Sequence, residues 1–447
     1  MHTQHERFRF RTLDELRQRI AELGLDLPLE EDLSPLARPV AVASVQAPNA
    51  IAIHPMEGCD GTADGRPGEL TIRRYERFAR GGAGLLWFEA TAIMPAVRAN
   101  PRQLTLTEET LPAFRALREH TLELARQTYG PAHRPLTVLQ LTHSGRYSKP
   151  EGRPAPIIAF HDPLLDPGSS VQPEQAPISD EELAALPERY VQAARLAQEA
   201  GFDGVDIKSC HRYLLSELLA AHTRPGAYGG SFENRTRLLL EIVERVRAGA
   251  PGLLVAVRLN AYDGHPYPYG WGVAPHDPTV PDLTEPLRLV RALQAHGVQL
   301  LSITAGNPYY TPHINRPYDQ PMAGNKIVEE HPLVGVARLV HLARAAQQAA
   351  PGLPVIGAGY SWLRQYLGNV AAGVLRRGWA AFAGLGREAF AYPNAPRDLL
   401  AGYLQPTGAS GGLDPRQVCL ACSRCSQIMR AGGMAGCPIR DKEVYRV

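Results

Sequence analysis

The 447-residue sequence lacks the features that mark membrane, secreted and nucleic-acid-binding proteins. It contains no run of 18 apolar residues, so we expect no membrane span and no membrane partner. Its N-terminus, MHTQHERFRFRTLDELRQRI, is polar and has no apolar h-region, so we expect no signal peptide and a cytoplasmic location. The net charge is only +2, so charge gives no reason to expect a nucleic-acid partner.

Lysine and cysteine are both scarce. Only four of the 47 basic residues are lysine, which makes a lysine at a reactive position unusual in this chain. The six cysteines are few for this length, yet four of them fall in the last 29 residues. Such clustering disfavours a disulfide scaffold and predicts a metal or cluster site in a reducing compartment.

No glycine fingerprint of the type G-x-G-x-x-G follows a predicted strand, which disfavours a doubly wound sheet, the main alternative fold. Eight segments, most of them continuous apolar runs, have instead the pattern of parallel strands covered by helices. These segments are Ala50–Met56, Gly84–Thr91, Leu136–Leu141, Gly204–Ser209, Leu253–Asn260, Leu300–Ala305, Pro354–Ala358 and Ala380–Leu385. Helical segments alternate with them, so we predict an α/β protein with a TIM (β/α)8 barrel.

The chain divides into three predicted parts. We expect an N-terminal extension over residues 1–40, the barrel over residues 41–404 and a Cys-rich tail over residues 405–447. Two long loops follow the third and the fifth strand, at Pro150–Pro177 and Tyr262–Pro286. Active sites of such barrels form on this side, so both loops are candidates for lids or substrate loops, with decorative insertions as the alternative.

The four clustered cysteines have the spacing Cys419-x2-Cys422-x2-Cys425-x11-Cys437, and Pro438 follows the last of them. Thiolates bind soft metals, and cubane clusters take four cysteines. The spacing therefore predicts a 4Fe–4S cluster. Zinc is the alternative, although sites with four cysteines usually consist of two C-x-x-C knuckles.

Reactive side chains collect where the predicted strands end, and in a barrel these ends converge on one face. The end of the fourth strand carries Lys208, His211 and Tyr213. The ends of the last two strands carry Gly359, Gly386 and Arg387. Glycines allow a close backbone approach and arginine offers a bidentate fork, so the last two strands have the character of a phosphate site.

Several segments together resemble the Old Yellow Enzyme family of FMN-dependent oxidoreductases. They are RYERFARGGAGLLWFEATAI, QLTHSGRYSKP, AGFDGVDIKSCHRYLLSELLAAHTRPGAYGGSFENRTRLLLEIVERVR and LGR, within residues 45–390. The Cys-rich tail is similar to that of the branch containing 2,4-dienoyl-CoA reductase and trimethylamine dehydrogenase. Members of that branch carry an FMN barrel and a 4Fe–4S cluster, although their second and third cysteines are usually spaced one residue wider.

The resemblance implies an FMN molecule at the mouth of the barrel. The positions that match flavin-binding positions of the family are Pro55, Met56, Glu57, Ala90, Gln140, Arg258, Gly359, Gly386 and Arg387. Of these, Gln140 and Arg258 would contact the edge of the isoalloxazine ring, and the last three would hold the phosphate. After the seventh strand the chain departs from the family, with Ala358-Gly359-Tyr360 where Asn-Arg or Gly-Gly is frequent.

The resemblance also assigns roles at the end of the fourth strand. Tyr213 matches the proton donor, and a phenol with a pKa near 10 can protonate a developing enolate. His211 matches a residue that binds the substrate carbonyl oxygen. Lys208 departs from the histidine that is usual there, and it can hold a carbonyl or a carboxylate or act as a base. In the loop AGNPYYTPHINRP, we expect Tyr310 and His313 to contact the substrate, with surface positions as the alternative.

These observations predict an FMN-dependent oxidoreductase that reduces an activated C=C bond of a small molecule. Two alternatives remain: oxidation of an amine with electrons leaving through the cluster, and a non-catalytic flavoprotein with a zinc tail. The larger relatives continue into further nucleotide-binding domains, and we expect none here. Electrons would therefore be exchanged with a separate electron-transfer protein or subunit, or with NAD(P)H, and a homo-oligomer is compatible with the sequence.

Overall fold

The computed structural model describes residues 5–325, 327–401, 403 and 412–446. Its centre is a closed barrel of eight parallel strands, named β1 to β8 here, in which β8 pairs with β1. In chain order they are Ile51–Ile53, Leu85–Ala92, Leu136–Thr142, Gly204–Ser209, Leu254–Tyr262, Leu300–Ala305, Val355–Gly357 and Phe382–Leu385. The prediction of a TIM (β/α)8 barrel is therefore confirmed.

The barrel strands are buried along their whole length, which explains why apolar residues dominate most of them. The strands β4 and β6 have the predicted bounds. The strand β1 is shorter than predicted and ends at Ile53, just before His54-Pro55, since proline cannot donate a ladder hydrogen bond. The strand β5 continues two residues further than predicted, to Tyr262, which brings the start of the following loop into the barrel.

Helices connect the strands on the outside of the barrel. The long ones are Glu69–Gly81, Leu111–Tyr129, Asp180–Glu199, Phe232–Gly249, Thr284–Ala295, Pro332–Ala349 and Leu367–Arg376. The shorter ones, some of them 3-10 turns, are Ser34–Ala37, Pro95–Val97, Gly145–Tyr147, Asp166–Ser169, Leu214–Leu219, Pro312–Asn315, Tyr360–Tyr366, Arg387–Ala391, Ala395–Leu399 and Arg424–Arg430. The helix Asp180–Glu199 begins with a capping box, in which the backbone N–H of Glu182 donates to Ser179 Oγ at 3.1 Å.

The N-terminal residues pack on the barrel as part of its main core. The helix Leu13–Glu22 buries Leu16 and Ile20, and Thr12 caps its first turn. Two short strands, Val40–Val42 and Val45–Ala47, then form an antiparallel hairpin whose inward side chains join the inner barrel core. The predicted boundary between residues 40 and 41 falls inside this hairpin.

The described part of the Cys-rich tail lies across loops at the carboxyl ends of the strands. The backbone N–H of Ala435 donates to the carbonyl of Gly58 in the loop after β1, at 2.6 Å. The carbonyl of Ala421 accepts from Asp319 N in the loop after β6, at 3.0 Å. The tail therefore covers the face of the barrel where the reactive residues were predicted. The predicted boundary between residues 404 and 405 lies outside the described residues.

A short antiparallel hairpin, Val273–Ala274 with Asp277–Pro281, shapes the loop after β5. None of the helices in the described part of the chain has the length and apolar character that a membrane crossing requires.

Candidate functional site

The turn after β4 presents the reactive residues to the mouth of the barrel. His211 and Arg212 both have left-handed backbone conformations, with φ of 64° and 59°, which side chains other than glycine rarely adopt. Arg212 is held there by Asp162 from the loop after β3, at 3.0 Å, and by Asp263 from the loop after β5, at 3.2 Å. The turn is thus fixed by two buried ion pairs, and the side chain of Tyr213 follows directly from it.

Lys208 and Tyr213 form one contact. The Lys208 Nζ atom lies 3.9 Å from the centroid of the Tyr213 ring, a cation–π geometry, and both side chains are buried. Burial lowers the pKa of Lys208, because the charged ammonium loses solvation. Burial also raises the pKa of Tyr213, which keeps its phenol protonated. Two predicted site residues are therefore brought together, with a protonated phenol beside a lysine.

A wall of tyrosines completes this corner of the site. The Tyr213 hydroxyl lies 3.3 Å from the Tyr309 hydroxyl, and the Tyr309 ring stacks on Tyr147 with centroids 3.9 Å apart. Asn307 donates to the Tyr147 hydroxyl at 2.8 Å. Tyr310, which was predicted to contact substrate, is as exposed as Tyr309 but lies against His265 instead. The sequence offered two adjacent tyrosines and no periodicity to tell which one reaches Tyr213.

His211 is positioned by a residue that the sequence did not single out. Asn315 Nδ2 lies 3.2 Å from His211 Nε2, so Nε2 accepts and the proton resides on Nδ1. Burial, followed by the charges of Arg258 and Lys208, lowers the pKa of His211 well below its usual value, so the ring is neutral. His313, also predicted to contact substrate, lies two residues before Asn315 on the short helix Pro312–Asn315.

The surroundings of His313 differ from those of His211. Burial lowers its pKa, and the charged groups that act on it are Glu330 and Arg338. Neither residue belongs to the tyrosine corner. The short helix Pro312–Asn315 thus turns Asn315 toward the end of β4 and leaves His313 beside a different charge pair.

A buried row of polar groups crosses β3, β4 and β5. Gln140 Nε2 donates to Asp206 Oδ2 at 2.6 Å, and the backbone N–H of Arg258 donates to Asp206 Oδ1 at 2.7 Å. Burial raises the pKa of Asp206 to about 6, against the hydrogen bond from Gln140. The Nε of Arg258 is buried and has no hydrogen-bond partner among the described residues. A buried guanidinium with an orphaned donor fits an acceptor atom at the edge of a heteroaromatic ring.

The ends of β1 and β2 carry a further group of predicted site residues. Glu57 Oε1 accepts from Asn100 Nδ2 at 2.8 Å, and burial raises the Glu57 pKa against the charge of Lys208. Met56 and the preceding Pro55 connect β1 to this carboxyl group. Ala90 is buried in β2, and its carbonyl accepts from Gln103 at 3.3 Å, so only its small side chain is free to adjoin a ring.

The ends of β7 and β8 leave an open cradle. Gly359 has φ of 98°, and a Cβ there would lie 2.8 Å from Leu339, so only glycine fits. A Cβ at Gly386 would meet only the Met56 sulfur, at 3.4 Å. Arg387 Nη2 donates to the Pro317 carbonyl at 2.9 Å, and its Nη1 is buried without a partner. The free guanidinium nitrogen and the open glycine fit a phosphate group, and with Arg258 they fit FMN.

The four tail cysteines line a single cavity, together with Arg387. The backbone N–H of Ala421 donates to Cys419 Sγ at 3.4 Å, the kind of contact that stabilises a thiolate. Across the described ranges, no group of three or more His, Cys, Asp or Glu side chains is arranged to hold a metal ion. Cys59, outside the tail, lies beside Glu57.

Comparisons with known proteins agree with this geometry. Residues 35–270 match the model of the NADH:flavin oxidoreductase / NADH oxidase family. An NADPH dehydrogenase of Halalkalibacterium halodurans is 30% identical over 274 residues, which cover 59% of this chain and 71% of the relative.

Two similar solved structures cover nearly the whole chain. A 2-naphthoyl-CoA reductase complex has a TM-score of 0.69 at 19% identity, covering 91% of this chain and 57% of that one. Histamine dehydrogenase from Rhizobium sp. 4-9 has a TM-score of 0.66 at 18% identity, covering 92% and 53%. The chain thus spans little more than half of either protein, and at such identities the likeness shows the fold. Since the family match extends over more than half of the sequence, the chain belongs to the NADH:flavin oxidoreductase / NADH oxidase family and is a flavin-dependent oxidoreductase.

Proposed function

We propose that this enzyme reduces an activated C=C bond, with Tyr213 as the proton donor and with His211 and Lys208 as the groups that polarise the substrate carbonyl. The observation that carries the proposal is the contact between the Lys208 ammonium and the Tyr213 ring, 3.9 Å apart in a mouth whose remaining polar groups fit FMN. A cation and a protonated phenol at one point suit a reaction that first builds and then quenches negative charge.

When bound, FMN supplies a hydride to the β-carbon of the alkene. The carbonyl oxygen then takes on negative charge, and two donors of this chain stabilise it. His211 offers its Nδ1–H, because Asn315 occupies Nε2, and Lys208 offers its ammonium. Both groups are buried, so their dipole and charge act with little solvent screening.

Tyr213 completes the addition by protonating the α-carbon. Its O–H bond breaks and a C–H bond forms, which leaves a phenolate beside the Lys208 cation. Tyr309 lies 3.3 Å from the Tyr213 hydroxyl and is 42% exposed, so it can return a proton from solvent. The elevated pKa of Tyr213 means that the phenol keeps its proton until an enolate, a stronger base, requires it.

The positive charges of the site disfavour the alternative reaction, the oxidation of an amine with electrons leaving through the cluster. Lys208 already covers the face of Tyr213 that an ammonium group would use, and Arg258 adds a second positive charge to the site. A cationic substrate would be repelled by both groups. A substrate with a carbonyl or carboxylate group suits them, such as an enone, a 2-enoate or a 2-enoyl thioester.

For the tail we propose a 4Fe–4S cluster bound by Cys419, Cys422, Cys425 and Cys437. The four side chains share one cavity, and their spacing differs from the two C-x-x-C knuckles that are usual for a zinc site with four cysteines. In a cubane each cysteine binds its own iron, so the four cysteine sulfurs lie further apart than they would around a single zinc ion. Residues 405–447 would then form an iron–sulfur tail on the barrel of residues 41–404, and the cluster would pass single electrons to a separate protein or subunit, with NAD(P)H as the alternative electron source.

The proton-donor role is tested by Tyr213→Phe, with Tyr309→Phe as the matched control. Reduction of the flavin by NADPH and its reoxidation by an alkene are measured separately by anaerobic stopped-flow. We expect reoxidation to slow by about 10²–10⁴-fold in Tyr213→Phe, with reduction unchanged. Tyr309→Phe keeps the donor and should slow reoxidation far less. An equal effect on both steps would show that Tyr213 only shapes the flavin site.

The cluster is tested on anaerobically purified protein by iron, sulfide and zinc analysis and by EPR after reduction. We expect about four irons and four sulfides per chain. Cys425→Ser should lose the cluster signal, whereas Cys210→Ser, at a buried cysteine outside the tail, should keep it. One zinc and no iron would refute the cluster and leave the flavin chemistry standing.

A further inference from the structure

Three arginines converge on the segment that follows β6. Arg316 belongs to this segment, Arg387 at the end of β8 donates to the carbonyl of Pro317 at 2.9 Å, and Arg430 from the tail helix donates to the carbonyl of Pro308. Their guanidinium groups therefore come from three separate parts of the chain: a barrel loop, a strand end and the Cys-rich tail.

Arg316 and Arg387 are half-buried, Arg430 is exposed, and the first two lack the carboxylate partners that the fold gives to several fully buried arginines. Arg74, Arg146 and Arg212 each pair with two carboxylates. Within the described ranges, neither Arg316 nor Arg387 forms an ion pair, and Arg316 Nε and Arg387 Nη1 are buried without any hydrogen-bond partner. A buried N–H donor without an acceptor is costly, so these two half-buried guanidinium groups suit an anion from outside the chain.

The electrostatics of Arg316 agree with a missing anion. The positive charges of Arg387 and Arg430 both act on Arg316, so the three guanidinium groups repel one another. A group with two or more negative charges would offset this mutual repulsion and supply acceptors for the orphaned N–H groups.

The position of the cluster indicates which anion it binds. Arg387 directly follows Gly386, whose open side forms part of the cradle described above, and Gly359 follows β7, the strand that pairs with β8. A phosphoryl group offers several acceptor oxygens that match guanidinium forks from different directions. We infer that Arg316, with Arg430 from the tail, joins Arg387 in binding the 5′-phosphoryl group of FMN.

This inference rests on the proposed flavin site, and it adds a function to the Cys-rich tail. Arg430 also lies 5.6 Å from the ring of Tyr309, which contacts Tyr213. The tail would thereby link the phosphate end of the cofactor to the tyrosine corner, and flavin binding would hold the tail on the barrel.

The test compares FMN with riboflavin, which has the same ring and lacks the phosphate. The full-length protein is freed of flavin, and each flavin is titrated by fluorescence quenching to give its Kd. We expect Arg316→Gln to weaken FMN binding by about 10- to 100-fold, the range of a charge-assisted hydrogen bond, and to leave riboflavin binding unchanged. Arg430→Gln should act in the same direction. Arg416→Gln, at an exposed arginine paired with Asp414, is the control and should change neither Kd.

Four outcomes would overturn the inference, and they are distinguishable. Equal weakening of FMN and riboflavin in Arg316→Gln would assign the arginine a structural role. Unchanged FMN binding with a loss of iron or an altered EPR spectrum would mean that the arginines neutralise the cluster instead. Failure of the unmodified protein to bind either flavin would refute the proposed flavin site itself, whereas equal affinity for both flavins would refute only the phosphoryl site.

Discussion

Replacing Arg212 tests how the end of β4 is held, and the structure gives the size of the effect. The side chain has no exposed surface, and it bridges Asp162 in the loop Pro150–Pro177 and Asp263 in the loop Tyr262–Pro286. Arg212→Met would leave two buried carboxylates short of a partner. Asp162 would keep His265 Nε2 at 2.8 Å, and Asp263 would keep Asn260 Nδ2 at 2.7 Å. We therefore expect a loss of about 3–5 kcal/mol in the free energy of unfolding, the range for a broken buried pair.

The backbone conformation of Arg212 makes a second, separate contribution to the free energy of unfolding. Arg212 has φ of 59°, and such a conformation costs about 1 kcal/mol or more for a residue other than glycine. Arg212→Ala and Arg212→Gly both remove the ion pairs and empty the buried space, but only alanine keeps the strained backbone, so Arg212→Gly should destabilise the protein by about 1 kcal/mol less than Arg212→Ala. The assay is urea unfolding followed by tryptophan fluorescence, with the flavin content fixed.

The stability of the protein should depend on pH through the carboxyl group of Asp162. Burial raises the pKa of Asp162, but the hydrogen bond with His265 and the charge of Arg212 outweigh it and leave the pKa lowered. Its stabilising contribution is present above the unfolded value of about 3.9 and is lost as pH falls through the lower folded value. Without Arg212 the folded pKa rises, so the variant should lose stability at a higher pH than the unmodified protein.

An exposed arginine provides the control. Arg17 pairs with Asp14 and Glu31 on the surface, and Arg17→Met should cost less than about 1 kcal/mol. If Arg212→Met cost no more than this control, the two ion pairs would not be holding the turn, and the account of the β4 end would be wrong.

Two further predictions concern the reaction. Asn315→Leu removes the donor that fixes the tautomer of His211, so we expect a KM about tenfold higher for a carbonyl-bearing alkene, with the flavin absorption unchanged; an unchanged KM would contradict the positioning role. Lys208→Met should lower kcat/KM by about 10²-fold through loss of the cation at the carbonyl. Because burial lowers the Lys208 pKa and the charged form is the active one, the rate of the unmodified enzyme should fall as pH rises through a value below the usual 10.5. A pH profile that persists unchanged in Lys208→Met would assign the titration to another group.

The barrel could be predicted from the sequence because its strands are buried on both faces. The mainly apolar run gave the bounds of Leu300–Ala305, and those of Gly204–Ser209 were also predicted correctly although Asp206 and Lys208 alternate there with apolar residues. The reactive residues of β4 could be located for the same reason, because the end of a barrel strand always faces the mouth.

The loop residues could not be predicted in this way. Whether Tyr309 or Tyr310 reaches Tyr213 depends on how Asn307 and Tyr147 fold the loop after β6, and these contacts are distant in sequence. Asn315 likewise reaches His211 only because a single helical turn rotates it there. The unpaired state of Arg316 is visible only when every neighbouring carboxylate has been placed. Local pattern carries no information on any of these three arrangements.

The most direct test of the proposed function is an anaerobic mixing experiment on the intact protein. The flavin is reduced with NADPH or dithionite and mixed with 2-cyclohexenone, cinnamate or a 2-enoyl-CoA thioester, and in parallel the oxidised flavin is mixed with histamine or trimethylamine. The account predicts that at least one alkene restores the visible absorption of oxidised flavin and yields a saturated product, while the amines leave oxidised flavin unchanged. Bleaching of the oxidised flavin by an amine, with no alkene able to reoxidise the reduced enzyme, would contradict it.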